Sequence, residues 1–142
     1  MKNIFYFDIL IEFESDYNVH NLEKIIGLKP YKILTRRESE ERVKKAVVYE
    51  KDGTSHNVTP TAKFIYKSEK FSGIDVDSEF EKFIKSIDEN LEKIIPILEE
   101  NKGKISFSIL LTEIKGKPCI YFNNEIIKII AKYNSDLEVY CE

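Results

Sequence analysis

Between residues 76 and 101 the apolar residues recur at spacings of three and four, which is the period of an α-helix. The positions that share this face are Phe80, Phe83, Ile84, Ile87, Leu91, Ile94, Ile95 and Leu98. A face of this length has to be buried, so the rest of the chain must supply a surface that covers it. Pro96 interrupts the helix, because an interior proline removes a backbone hydrogen bond and clashes with the preceding turn. We therefore expect a kink, or a break into two helices, near Ile95.

Two other segments alternate as strands with one buried face do. The first carries apolar residues at the odd positions from 5 to 13, and the second carries them at the odd positions from 105 to 111. Shorter strands are predicted at residues 46–50, 62–67, 119–122 and 137–141. A sheet built from these strands has the apolar face that the long helix needs.

Capping residues predict two further helices. Asn18 can cap a short helix that Gly27 ends, and Asn123 or Asn124 can begin a second one. The apolar face of that second helix is predicted to hold Ile126, Ile127, Ile130 and Tyr133. The segment 35–45 is polar at ten of its eleven positions, and we interpret it as an exposed loop or edge.

The predicted order is β-α-β-β-α-β-β-α-β, which indicates an α+β fold. It favours two layers, with helices packed on one face of a mostly antiparallel sheet. The first six elements have the ferredoxin-like order β-α-β-β-α-β, and a C-terminal β-α-β extension follows. With neither a repeat nor a linker in the sequence, residues 1–142 are expected to form a single domain.

Composition narrows the function classes. The net charge is −3 and only three residues are arginine, so the chain offers no general attraction for nucleic acid or an anionic membrane. Its longest apolar runs are far shorter than the roughly 20 residues that a membrane helix needs. Two cysteines are too few for a disulfide scaffold, and no export signal is evident, so we expect reduced thiols and a cytoplasmic protein.

Four segments of the chain resemble a family of small bacterial proteins catalogued as domain of unknown function 4279. They are the strand 6–13, the helix 22–30 with its Gly-Leu-Lys-Pro end, the long helix through 91–98, and the ending 137–141. The family usually carries a tryptophan in its middle strand region, where this chain has Phe64 or Tyr66. The resemblance implies a bacterial α+β domain without an established activity, and it supplies no catalytic residues to carry over.

The residues themselves offer no catalytic or metal-binding set, so we predict no catalytic residues, no metal and no cofactor. His20 and His56 are widely separated, and both cysteines lie far downstream of them. Cys141 shares its strand phase with Leu137 and Val139, so it is expected to be buried as a small apolar residue.

An acidic stripe runs beside the apolar face of the long helix. Its members are Glu81, Asp88, Glu92 and Glu99. A solvated helix face is the simplest explanation of such a stripe. The functional alternative, which we favour, is a non-enzymatic interaction protein, immunity-like or regulatory, whose acidic helix docks on a basic protein partner.

The second hypothesis is a small-molecule-binding domain or a modest enzyme that uses a groove on the polar face of the sheet. Tyr6, Asp8 and Tyr66 would line this groove, with Arg36 and Arg37 at its rim. A third possibility is that the exposed sheet face forms an oligomer. The sequence leaves these alternatives open.

Overall fold

A computed structural model describes residues 3–44, 47–114 and 120–142 of the chain. The strands are β1 (Asn3–Phe13), β2 (Lys32–Leu34), β3 (Val47–Tyr49), β4 (Ser55–Asn57), β5 (Ala62–Lys67), β6 (Phe71–Gly73), β7 (Gly103–Glu113) and β8 (Asp136–Cys141). The main sheet has the order β2-β5-β1-β7-β8, and β6 also pairs with β1. All of its pairings are antiparallel except that of β8 with β7. The predicted α+β fold with a mostly antiparallel sheet is therefore confirmed.

The helices are α1 (Leu22–Ile26), α2 (Arg36–Val43), α3 (Val76–Leu91), α4 (Ile95–Glu100) and α5 (Asn124–Lys132). Odd-numbered residues of β1 are buried and even-numbered residues are half-buried, as the alternation predicts. The buried side chains of β1 and β7 form one core with those of α1, α3, α4 and α5. We call the other side of the sheet, which carries the even-numbered residues of β1, the open face.

Proline divides the long helix, as expected. The helix runs as α3 to Leu91, continues as a 3₁₀ turn over Glu92–Ile94 and resumes as α4, with Pro96 in its first turn. Proline fits there because the amide groups of a first helical turn have no partner within the helix. The apolar face stays continuous across the break, since Leu91, Ile94 and Leu98 are all buried.

The segment 35–45 was wrongly predicted to be a loop or edge, because residues 36–43 form α2. This helix has little apolar surface, so periodicity does not reveal it. Local contacts start it instead: the Thr35 hydroxyl oxygen accepts a hydrogen bond from the Glu38 amide at 3.2 Å and donates to the Glu38 carboxylate at 3.0 Å. Arg36 and Glu40, one turn apart, add an ion pair at 3.8 Å.

The ferredoxin-like order is not confirmed. The strand predicted at 46–50 appears as β3, which pairs with β4 in a separate two-stranded sheet. The short strand β2, which was not predicted, lies beside β5 instead. A strand was predicted at 119–122, but residues 120–122 do not form one. Residues 115–119, which include Cys119 and the predicted hairpin turn, lie outside the described residues.

Burial at the C-terminal edge also differs from expectation. Cys141 is exposed: it is the last residue of β8, which among the described residues is the outer strand of the sheet. On α5, Ile126 and Tyr133 are buried as predicted, but the Ile127 side chain is 53% exposed. Residues such as these would be buried if they lay in or over a central strand, but at this edge of the sheet they remain exposed.

Candidate functional site

The acidic stripe runs from α3, which carries Glu81 and Asp88, through Glu92 in the 3₁₀ turn to Glu99 in α4. Basic groups of the protein itself neutralise much of it. The Lys132 ammonium lies 2.7 Å from the Asp88 carboxylate and 2.6 Å from the Glu92 carboxylate. The Tyr133 hydroxyl donates to the Asp88 carboxylate at 2.6 Å. We call Asp88, Glu92, Lys132 and Tyr133 the α3–α5 seam.

Burial and charge shift the ionisation of the seam. Burial raises the pKa of the Tyr133 hydroxyl strongly, and the hydrogen bond to the negative Asp88 raises it further. Burial alone would lower the pKa of Lys132, but the bonds to Asp88 and Glu92 outweigh it and raise the pKa. Both groups therefore stay protonated through the physiological range and hold α5 against α3.

The first acid of the stripe also has internal partners. The Lys85 ammonium lies 3.1 Å from Glu81 and 2.7 Å from Glu125 at the start of α5. Hydrogen bonds from Lys85 and Asn123 lower the pKa of Glu81. Three of the four predicted partner-binding acids thus have partners within the protein, and only Glu99 lies apart from these contacts.

Glu99 lines a cleft of about 600 Å³ at the far end of the seam, together with apolar residues such as Ile95 and Leu98. The side chains of Lys104, Lys132 and Asp136 also line it. Lys104 and Asp136 form an ion pair at 2.9 Å, so both lysines of the cleft already bind carboxylates. The cleft therefore mixes polar and apolar residues, and the positive charges of its lysines are already paired.

The open face carries Tyr6 and Asp8, as predicted. Lys67 pairs with Asp8 across β1 and β5, and its ammonium lies 4.8 Å from the centre of the Tyr6 ring. One carboxylate oxygen of Asp8 is buried without a hydrogen-bond partner among the described residues. Burial raises the pKa of Asp8, and the positive charge of Lys67 opposes this only in part.

The other residues of the predicted groove do not join Tyr6 and Asp8. Tyr66 pairs with Ile9 and faces the helices, where its ring stacks 5.9 Å from that of Phe83. Arg36 lies in α2 and binds Asp16 at 3.4 Å, and Arg37 is exposed on the same helix. The structure therefore places Tyr66 on the opposite side of the sheet from Tyr6 and Asp8.

A second surface lies at β8, the last strand of the sheet. Among the described residues, β8 pairs only with β7. The Glu142 amide donates to the Leu111 carbonyl at 2.9 Å, and amide directions alternate along a strand. The backbone N–H and C=O groups of Leu137, Val139 and Cys141 therefore point away from β7, toward the free edge.

An apolar cleft of about 320 Å³ adjoins this edge. Residues from α5 and β8 line it, including Ile127, Ile130, Ala131 and Leu137. Val139, on the same face of β8 as Leu137, is 40% exposed, and Tyr140, on the opposite face of the strand, is 51% exposed. We call the outward amides of β8 together with this cleft the β8 edge site.

Sequence reasoning missed the β8 edge site, although it predicted a strand at 137–141. The missing information was the position of that strand in the sheet. One signal was present: the last strand follows a helix directly, and a β-α-β connection favours parallel pairing with the strand before it.

Neither histidine nor cysteine forms a reactive cluster in the described part of the chain. His20 is exposed at a 3₁₀ turn, and His56 lies in β4 with its Nδ1 atom 3.6 Å from a Glu50 carboxylate oxygen. Within the described ranges, no group of three or more His, Cys, Asp or Glu side chains is placed to hold a metal ion. No helix in those ranges is long and apolar enough to cross a membrane.

Comparison with known proteins gives one match. No curated protein and no solved structure matches the chain. The model of one family, described as a domain of unknown function (DUF4279), matches residues 3–141. Because that match spans nearly the whole chain, the protein belongs to the DUF4279 family.

Proposed function

We propose that this protein is a non-enzymatic interaction domain that binds an extended segment of another protein at the β8 edge site. The segment adds to the sheet as a further strand beside β8. The observation that carries this proposal is the outer edge of β8, which no strand in the described ranges covers, with its adjoining apolar cleft. A binding role of this kind is compatible with the immunity-like or regulatory function expected from the sequence.

The backbone of β8 supplies the affinity in this proposal. The outward N–H and C=O groups of Leu137, Val139 and Cys141 form the row of donors and acceptors that an added strand requires. β8 contains no proline and pairs with β7 in unbroken register over six residues. It therefore lacks proline and a β-bulge, two features that commonly prevent a further strand from pairing with the edge of a sheet.

The apolar cleft supplies selectivity for side chains. Side chains at alternate positions of an added strand point to the helix side of the sheet, where Val139 and Ile127 are exposed. A cleft of about 320 Å³ is large enough to receive an aliphatic side chain there. Burial of these surfaces contributes roughly 25 cal/mol for each Å² of apolar area removed from water.

The acidic stripe is less suited to docking than β8. A partner that used Asp88 or Glu92 would have to displace Lys132, which binds both acids. Docking at β8 breaks no comparable ion pair of Glu138 or Glu142, because among the described residues Lys104 binds Asp136 and interacts with Glu138 only over a longer distance. The proposal therefore moves the contact with a basic partner from α3 to β8.

The experiment uses a synthetic six-residue peptide that alternates valine with threonine. Amide hydrogen exchange of the protein is measured by NMR with and without the peptide. We expect the amides of Leu137, Val139 and Cys141 to become protected, because they would donate to the added strand. Unchanged exchange at these three amides at saturating peptide would contradict the proposal.

The matched variants are Val139→Pro and Val139→Ala. Proline removes an amide that points outward, so the β7–β8 hydrogen bonds remain. We expect Val139→Pro to abolish peptide binding and Val139→Ala to retain most of it. Equal binding by the two variants would show that the backbone of β8 is not the contact.

We propose a second function, small-molecule binding on the open face, because of one observation. The buried, unpartnered oxygen of Asp8 lies next to Tyr6 and Lys67, which offer an aromatic face and a cation. In a fragment screen followed by NMR, this proposal predicts that fragments shift the resonances of Tyr6 and Lys67 and that Asp8→Asn weakens their binding. Shifts confined to the clefts at α5 would contradict it.

A further inference from the structure

We infer that the segment added at the β8 edge site comes from a different protein and carries basic residues at alternate positions, with apolar residues between them. This inference rests on the proposed function and names the chemistry of its partner. It depends on the charges of β8 and on the geometry of strand pairing.

Acidic side chains occupy one face of β8. Asp136, Glu138 and Tyr140 lie on this face, and Glu142, which directly follows β8 and still bonds to β7, continues the alternation. Asp136 is paired with Lys104 at 2.9 Å, whereas Glu138 and Glu142 have no ion-pair partner among the described residues. Lys104 interacts with Glu138 only over a longer distance. An added strand would therefore place its own open-face side chains beside the carboxylates of Glu138 and Glu142 and the exposed ring of Tyr140.

A second copy of this chain fits the β8 edge poorly. A two-fold antiparallel pairing of β8 with itself can be centred on Glu138, Val139 or Tyr140. The first register sets Glu138 against itself, the second sets Asp136 against Glu142, and the third sets Glu138 against Glu142. The first and third registers place like charges directly opposite each other, which destabilises a strand pair, and the second does so with the charge of Asp136 reduced by its ion pair to Lys104. The acids therefore disfavour self-association of the exposed edge.

Lysine or arginine at the open-face positions of the added strand reverses this penalty. Opposite charges in directly opposed positions stabilise a strand pair. A cation beside Tyr140 gains further from the face of its exposed ring. On the helix side, the same segment must present apolar residues to Val139, Ile127 and the cleft. An alternation of basic and apolar residues satisfies both faces.

The test compares three six-residue peptides in which valine alternates with lysine, threonine or glutamate. We expect the lysine peptide to bind roughly tenfold more tightly than the threonine peptide, the glutamate peptide to bind most weakly, and the preference to shrink at high salt. Glu138→Gln should reduce the preference for lysine, and Glu138→Lys should reverse it. Glu89→Gln, which removes an exposed acid from α3, should leave the preference unchanged.

The outcomes separate the two claims. If none of the three peptides protects the outward amides of β8, strand addition itself fails. If all three bind equally and without salt dependence, strand addition stands and the basic partner is overturned. If sedimentation shows a dimer that Val139→Pro dissociates, the occupant is a second copy, and the inference of a different protein is overturned.

Discussion

The strands β1 and β8 alternate in the same way but have different surroundings. The odd-numbered residues of β1 from Phe5 to Phe13 are fully buried, whereas on β8 Val139 and Cys141 are exposed. β1 lies between β5 and β7 under the helix layer, whereas β8 pairs with β7 alone among the residues that the structure describes. Alternation therefore predicts that a segment is a strand, while its position in the sheet decides what its apolar face contacts.

The largest expected effect tests this difference directly. Phe7 is fully buried among the rings of Phe5, Phe71, Phe80 and Phe83. We expect Phe7→Ala to lower the free energy of unfolding by about 3–5 kcal/mol in urea denaturation, because it removes apolar contacts and leaves a cavity. Val139→Ala should change it by no more than about 0.5 kcal/mol. Similar losses for the two variants would contradict the assignment of β8 as a free edge.

The next largest effect concerns the α3–α5 seam, whose contacts hold α5 against α3. Tyr133→Phe removes a hydrogen bond to the Asp88 carboxylate and should cost about 1.5–3 kcal/mol. Tyr121→Phe, at an exposed tyrosine, is the control and should be neutral. The folded state raises the pKa of Tyr133, so its stabilisation is complete below the ordinary tyrosine value of 10.0 and is lost as the pH rises through the folded value.

Urea denaturation between pH 7 and 11 measures this seam contribution. The wild-type protein should lose more stability above pH 10 than Tyr133→Phe does. Parallel pH profiles for the two proteins would mean that the seam does not hold α5 in the way described.

How far the sequence predicts the fold depends on whether an element is stabilised by burial or by local contacts. The central strands and the long helix with its break at Pro96 follow from apolar periodicity, because each of them buries one face. α2 escapes prediction because its only buried residue is Ser39. Periodicity also cannot show that Lys132 binds Asp88 and Glu92, because these acids lie 44 and 40 positions before it in the sequence.

A smaller effect tests the helix that periodicity missed. Thr35→Ala removes the side chain that caps α2 and should cost about 1 kcal/mol. Thr35→Ser keeps the hydroxyl and should retain most of that contribution. Hydrogen exchange of the α2 amides measures the change locally. If exchange of α2 is the same in wild type and Thr35→Ala, the cap does not stabilise this helix.

The smallest effect concerns the open face of β1. Burial raises the pKa of Asp8 above the ordinary aspartate value of 3.8, so the folded protein binds the proton more tightly than the unfolded chain does. Stability therefore falls as the pH rises from the ordinary value through the raised one. Asp8→Asn should therefore raise the melting temperature slightly at pH 7, with the difference vanishing at acidic pH. Asp52→Asn should instead lower the melting temperature slightly at pH 7, because hydrogen bonds from Thr54 stabilise the Asp52 carboxylate and lower its pKa. A lower melting temperature for Asp8→Asn at pH 7 would contradict this account.

Hydrogen exchange along β8 in the free protein shows whether the outer edge of this strand is open. If β8 is an open edge, the amides of Leu137, Val139 and Cys141 exchange rapidly, while those of Glu138 and Tyr140, which point to β7, are protected. Protection of all five amides before any peptide is added would show that the edge is already covered, and the account of β8 as a docking strand would be wrong.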